Sequence, residues 1–155
     1  MSTDDLTALE NWVQPLLAKL TTTERNALAR KVGQALRKSQ AQRIAGQQAP
    51  DGSAFAPRKV FAGGKIRGKK GSIRSEAMFS KLRTAKWLKV QVTGEGVAVG
   101  FLGRASRIAS VHQGGERDLV KPGGPAYQYP VRELLGFTAE DRENIQDLIL
   151  QHLKT

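Results

Sequence analysis

The chain has no cysteine, which removes disulfides, thiolate metal sites and cysteine nucleophiles together. Imidazoles are nearly as scarce: His112 and His152 are the two histidines, and neither has a partner histidine at metal-ligand spacing. No apolar run approaches the roughly 20 residues that span a bilayer. The amino-terminal stretch carries Asp4 and Asp5 where a secretory leader would place a basic region before an apolar one, so the chain reads as neither membrane-spanning nor evidently secreted. Acid is in deficit, with 14 Asp and Glu against 25 Lys and Arg, and the net charge of +11 should attract polyanions or an acidic partner surface. That charge is uneven: Arg58, Lys59, Lys65, Arg67, Lys69, Lys70 and Arg74 crowd into residues 58 to 74 with no acid among them.

A length of 155 residues with 39% apolar content suffices for one compact domain with an attached flexible part. Leu6, Leu9, Val13, Leu16, Leu17 and Leu20 follow helical spacing, predicting an amphipathic helix over 4–20. Pro15 should kink it or break it and start a second short helix. Thr21 and Glu24 have capping-box spacing ahead of a helix over about 22–45, with Leu28, Val32, Ala35 and Leu36 on its apolar side. Arg30 and Arg37, flanked by Lys31 and Lys38, give its other side a basic face turned away from the core, or simply a solvated one.

Gly46 permits the left-handed conformation that ends a helix, and Pro50-Asp51-Gly52 fits a tight turn. Phe55 then folds back as an anchor, or is an ordinary tucked loop aromatic, and Pro57 stiffens the departing chain. Residues 62–73, AGGKIRGKKGSI, hold four glycines and four cations around two isoleucines, too little apolar area to offset ordering entropy. This predicts a mobile segment that only a partner would order. A short helix is expected over 75–84 around Met78, Phe79 and Leu82. Beyond it, WLKVQV and VAVGFL flank Thr93-Gly94-Glu95-Gly96, and their alternation predicts a β-hairpin with one buried face. A helix over 104–112 ending at Gly114-Gly115, a short strand near 126–131, and a helix over 139–153 opened by Thr138 and Asp141 complete the order. The fold class is α+β: two N-terminal helices, a small antiparallel sheet with a hairpin, and a C-terminal helix.

No catalytic or metal constellation assembles. His112 has Glu116 and Asp118 nearby and His152 lies beside an apolar stripe, so structural or surface roles suit both. Ser72, Ser75, Ser106 and Ser110 lack a nucleophile-elbow context. Gly63-Gly64-Lys65 lacks the glycine spacing and following hydroxyl of a phosphate-binding loop, and no aromatics interleave with its cations. Any nucleic-acid contact should therefore go to backbone phosphates. Two readings remain from the residues: an assembly protein whose basic loop meets a neighbouring subunit or DNA, and an independent small DNA-binding protein.

Three stretches, taken in order, say more. The first is Arg43-Ile44, Gln47, Pro50-Asp51-Gly52, Phe55 and Pro57. The second is IASVHQGG, Ile108 to Gly115, with His112, Gln113 and Gly114. The third is PVRELLGFTAED, Pro130 to Asp141, with Arg132, Leu135 and Gly136 ahead of an acidic helix start. Together they resemble the phage virion morphogenesis proteins, also described as tail completion proteins of contractile-tailed phages such as Mu, along nearly the whole chain. The chain departs from the family pattern at Phe55, where tryptophan is common, in its strongly basic middle tract, and around Leu82 to Ala85, where an aspartate-threonine-glycine element is often found.

The resemblance implies a structural protein of the virion, without enzymatic activity or cofactor, assembled in the host cytoplasm. It would act late, preparing the head-proximal end of the tail for joining to the head. Its expected partners are the tail tube, tail terminator and head connector, and a homo-oligomeric ring, sixfold to match a tube of that symmetry, follows by analogy. Apart from the resemblance, the charge of residues 58–74 leads us to expect the basic loop to extend toward neighbours or the DNA passage. His112 would make a structural hydrogen bond near a glycine turn or, in a minority reading, an intersubunit contact.

Overall fold

The computed structural model describes residues 3–58, 77–94 and 96–154. Its elements run α1 (Thr3–Leu17), α2 (Thr22–Ala45), β1 (Leu88–Thr93), β2 (Gly96–Phe101), α3 (Arg104–Gly114), β3 (Arg117–Leu119), β4 (Ala126–Gln128) and α4 (Ala139–Leu153). The α+β class expected from the sequence is the one observed. The strands form two separate antiparallel ribbons, β1 with β2 and β3 with β4, and β3 had no sequence expectation.

Helix α1 runs through Pro15 to Leu17, and no second short helix begins at the proline. Pro15 falls in the last turn, where few intrahelical bonds remain to be lost. The chain then tightens through Lys19 N to Leu16 O and Leu20 N to Leu17 O contacts, and Arg25 Nε donates to the Leu17 carbonyl at 3.0 Å. That bond satisfies one orphan carbonyl of α1 and ties it to α2.

Helix α2 starts on the expected capping box, with Glu24 N donating to Thr21 Oγ1 and Thr21 N to Glu24 Oε2, both at 3.2 Å. Its end differs from expectation. Gly46 has φ −75°, and the left-handed residue is Gln47 at φ 57°. Gln47 adopts that conformation because its side chain is held on both sides: Nε2 donates to Ile44 O at 2.8 Å and to Met78 O at 2.9 Å, and Oε1 accepts from Met78 N at 2.7 Å. The Pro50-Asp51 turn closes through Gly52 N to Ala49 O at 2.9 Å, and Asp51 Oδ1 accepts from the Ser53 hydroxyl at 2.5 Å and from Ser53 N at 2.9 Å. These Ser53 bonds hold the Asp51 carboxyl below its usual pKa.

The helix expected over 75–84 is not formed in its described part: residues 77–87 run as turns, with Phe79 at φ 65°. Met78 has given both its backbone N–H and its carbonyl to the Gln47 amide, so it cannot enter a helical ladder. The β1–β2 hairpin pairs Leu88 with Phe101 through to Thr93 with Gly96, and lies across α2. The approach is close: a Cβ on Gly33 would stand 2.4 Å from Val90 Cγ1 and 2.7 Å from Val97 Cγ2. Ile44, Phe55, Met78, Leu88, Phe101, Ala105, Ala109 and Leu134 form one buried cluster. Leu28, Val32 and Leu36 of α2 form another with Ile145 and Ile149 of α4, covered by the stripe of α1. Helix α4 begins on the Thr138–Asp141 capping box, and no helix of the described residues is long and apolar enough to cross a membrane.

Candidate functional site

The three stretches singled out in the sequence come together at the C-terminal half of α2. Leu28, Val32, Leu36, Gln40 and Ile44 follow one another at four-residue intervals and all are buried, which sets one amide into an apolar row. Gln40 Nε2 donates to Gly136 O at 2.7 Å, and Gln40 Oε1 accepts from Gly136 N at 3.2 Å and from Arg43 Nη2. Arg43 also reaches Leu134 O at 2.9 Å and Gln48 O at 3.0 Å. Burial lowers its pKa, against the opposing pull of the Asp141 and Glu133 carboxylates. From α3, Gln113 Oε1 accepts from Leu134 N at 2.8 Å and Leu135 N at 3.0 Å, while its Nε2 donates to Leu135 O at 2.9 Å. Residues 134–136 are thus held like a strand whose neighbours are side-chain amides, which satisfies backbone groups that would otherwise be buried unpaired.

Arg132 is 5% exposed and is the second fastening. Its Nε donates to Ala56 O at 2.7 Å and its Nη2 to Pro57 O at 2.8 Å, which pins the chain leaving Phe55. Nη1 lies 3.1 Å from His112 Nδ1. The guanidinium is always a donor, so Nδ1 accepts and the neutral ring carries its proton on Nε2. Burial, reinforced by the Arg132 charge, brings the His112 pKa down to about 4. Edge-to-face contacts continue outward from the core: Phe55 to Phe79 at 5.7 Å, Phe79 to His112 at 4.8 Å, His112 to Tyr129 at 5.1 Å and Tyr129 to Tyr127 at 4.9 Å.

The remaining motif positions fill supporting places. Pro50 abuts Gly136, where a Cβ would sit 2.4 Å from Pro50 Cγ, so the first and third stretches touch directly. Gly114 ends α3, and its left-handed cap is the next residue, Gly115, at φ 63°. Pro130 enters the braced segment, Leu135 is half-buried against the core, and Asp51 and Gly52 stay exposed on their turn. Sequence reasoning missed Gln40 and the burial of Asp141, which Ser39 Oγ reaches from α2. The signal for Gln40 was present, as the one polar residue in a four-residue apolar repeat. Of the basic-loop residues, Arg58 donates to Ala77 O at 3.3 Å. Lys59, Lys65, Arg67, Lys69, Lys70 and Arg74, and the segment 62–73 expected to be mobile, lie outside the described residues.

Chemically this arrangement is a brace. Its donors and acceptors are engaged with the chain's own backbone and with one another, save Arg43 Nε, which is buried without a partner among the described residues, and the accepting nitrogen of His112 is taken by Arg132. Among the described residues no group of three or more His, Cys, Asp or Glu could hold a metal ion. A mainly apolar cleft of about 830 Å³ lies between α1 and the body formed by α2, the hairpin and α4.

Comparison with known proteins agrees with the motif reading. Residues 4–154 match the phage virion morphogenesis family. Tail completion protein S of Escherichia phage P2 is 36% identical over 146 residues, covering 94% of this chain and 95% of that protein. No solved structure matches the chain significantly. A match across the whole described fold, carrying the stretches that build the brace in their order, places the chain in the phage virion morphogenesis family.

Proposed function

We propose that the chain is a non-enzymatic structural component of a phage tail, acting at its head-proximal end to make the tail competent for joining to the head. The observation that carries this reading is the end-to-end similarity to a tail completion protein, with 94% of this chain aligned. The brace supports it: a group of buried polar side chains committed to fixing backbone suits a rigid structural part. In this reading the chain works as one tail-completion domain with residues 58–74 as a flexible basic loop toward neighbours or DNA. Its partners are other tail or neck proteins, namely the tail tube, the tail terminator and the head connector, together with further copies of itself in a ring, and its place is in the virion.

The test is complementation in vitro. Purified protein is added to heads and tails from a lysate lacking it, and infectious particles are counted. Restored infectivity supports the proposal, and neutralising the cations of 62–73 then tests the loop. A folded preparation that restores nothing, yet binds DNA with a steep salt dependence, would favour the small DNA-binding protein instead.

A further inference from the structure

Helices α2 and α4 pack face to face through Leu28, Val32 and Leu36 against Ile145 and Ile149. Ser39 of α2 donates to Asp141 of α4 across the same seam. At about 100° per residue, the side of α2 turned away from this seam carries Arg30, Lys31, Arg37 and Lys38. The side of α4 turned away from it carries Glu140, Glu143 and Asp147, all exposed. The helix pair is therefore basic on one flank and acidic on the opposite flank.

The charges are also in matching register. Arg30 and Arg37, Lys31 and Lys38, and Glu140 and Asp147 are each one heptad apart, a rise of about 10.5 Å along a helix. Among the described residues no ion pair is formed by Arg30, Lys31, Arg37 or Lys38 of the basic row or by Glu140, Glu143 or Asp147 of the acidic row, in contrast to Arg107 and Asp118, which pair at 2.6 Å. Ala27, half-buried beside the basic residues, leaves room for a second helix to come close, while Leu150, 41% exposed, borders the acidic row and offers it an apolar contact.

We infer that the basic flank of α2 in one copy docks on the acidic flank of α4 in the next copy. A nucleic-acid partner would account for the basic row and leave the matched acidic row without a role. A second copy accounts for both. Because the flanks face opposite ways, the contact is heterologous, the kind that closes into a ring or runs on as a filament. Single exposed ion pairs contribute little, so the contact depends on the array acting together with the small Ala27 and with Leu150. This inference supplies the interface for the ring in the proposed function, and its test uses purified chain alone, so its failure would leave the complementation result standing.

The test is a charge swap read by analytical ultracentrifugation. One variant carries Arg30→Glu and Lys38→Glu, the other Glu143→Lys and Asp147→Lys, all at exposed positions, with circular dichroism reporting that each is folded. Wild-type protein should sediment as an oligomer, each variant alone as a monomer, and their equimolar mixture should again form oligomers, because every contact in an alternating assembly is then complementary. A monomeric wild type, variants that stay oligomeric, or a mixture of folded variants that stays monomeric would overturn the inference. Loss of binding to a duplex DNA probe by the first variant with its oligomer intact would overturn it too, and assign the basic flank to a polyanion.

Discussion

Replacing Arg132 with methionine keeps most of the side-chain volume and removes the charge and the donors, so it isolates what the guanidinium does. Three contacts disappear: Ala56 O at 2.7 Å, Pro57 O at 2.8 Å and His112 Nδ1 at 3.1 Å. Bonds from a charged donor contribute about 1.5–3 kcal/mol each, which would sum to roughly 4.5–9 kcal/mol if additive. Two effects reduce that sum. Methionine avoids the desolvation cost of a buried cation, and Pro57 is exposed, so water replaces the bond lost there. The expected net loss is about 2–4 kcal/mol, read as a lower urea midpoint at unchanged slope. The same variant should move the His112 titration upward from about 4, because the Arg132 charge is one of the two causes of its depression. It should remain below the usual histidine value, because burial, the larger cause, persists. A stability loss under about 1 kcal/mol together with an unmoved His112 resonance would refute the view that Arg132 fastens segment 55–57 to α3.

Stability should depend on pH through His112. Its folded pKa, about 4, lies below the unfolded value of about 6.5. The unfolded chain therefore binds more protons in that window, and the contribution is complete above pH 6.5 and lost as pH falls toward 4. The full shift corresponds to about 3 kcal/mol, and the half-buried ring reduces this to roughly 1–2 kcal/mol. Urea titrations of wild type and His112→Gln at several pH values check it, and the variant should flatten this part of the profile. Gly33→Ala sets helix propensity, a gain of about 1 kcal/mol, against a Cβ 2.4 Å from Val90 Cγ1. Overpacking costs about 1–3 kcal/mol, so thermal melts should show a net loss. Gly136→Ala meets the stiff Pro50 ring at 2.4 Å and should destabilise by about 1–3 kcal/mol, with the Gln40 amide resonances shifting in the same variant. Thr138→Ala removes the hydroxyl that accepts from Asp141 N at 3.0 Å and should cost about 1 kcal/mol in a denaturant melt.

What could be read from the sequence and what could not divide along a physical line. Both capping boxes and the β1–β2 hairpin depend on residues a few positions apart, so spacing alone located them. The brace joins Gln40 to Gly136 and Gln113 to Leu135 across long stretches of chain, and no local pattern encodes which backbone an amide will reach. The same long-range bonds explain the local errors. Gln47 displaced Gly46 as the left-handed residue, and Met78 failed to join a helix, because each satisfied the other. The motif residues Arg43, Gln113 and Arg132 are thereby committed inward, to carbonyls and amides of the chain itself. Substituting them should register first as lost stability, and any loss of assembly should follow from that. A surface that meets another molecule must then be sought outside the motifs, among charges that form no ion pair among the described residues. The two outer flanks of the α2–α4 pair meet that condition, and the motifs that reveal the family contribute the rigidity that holds those flanks apart.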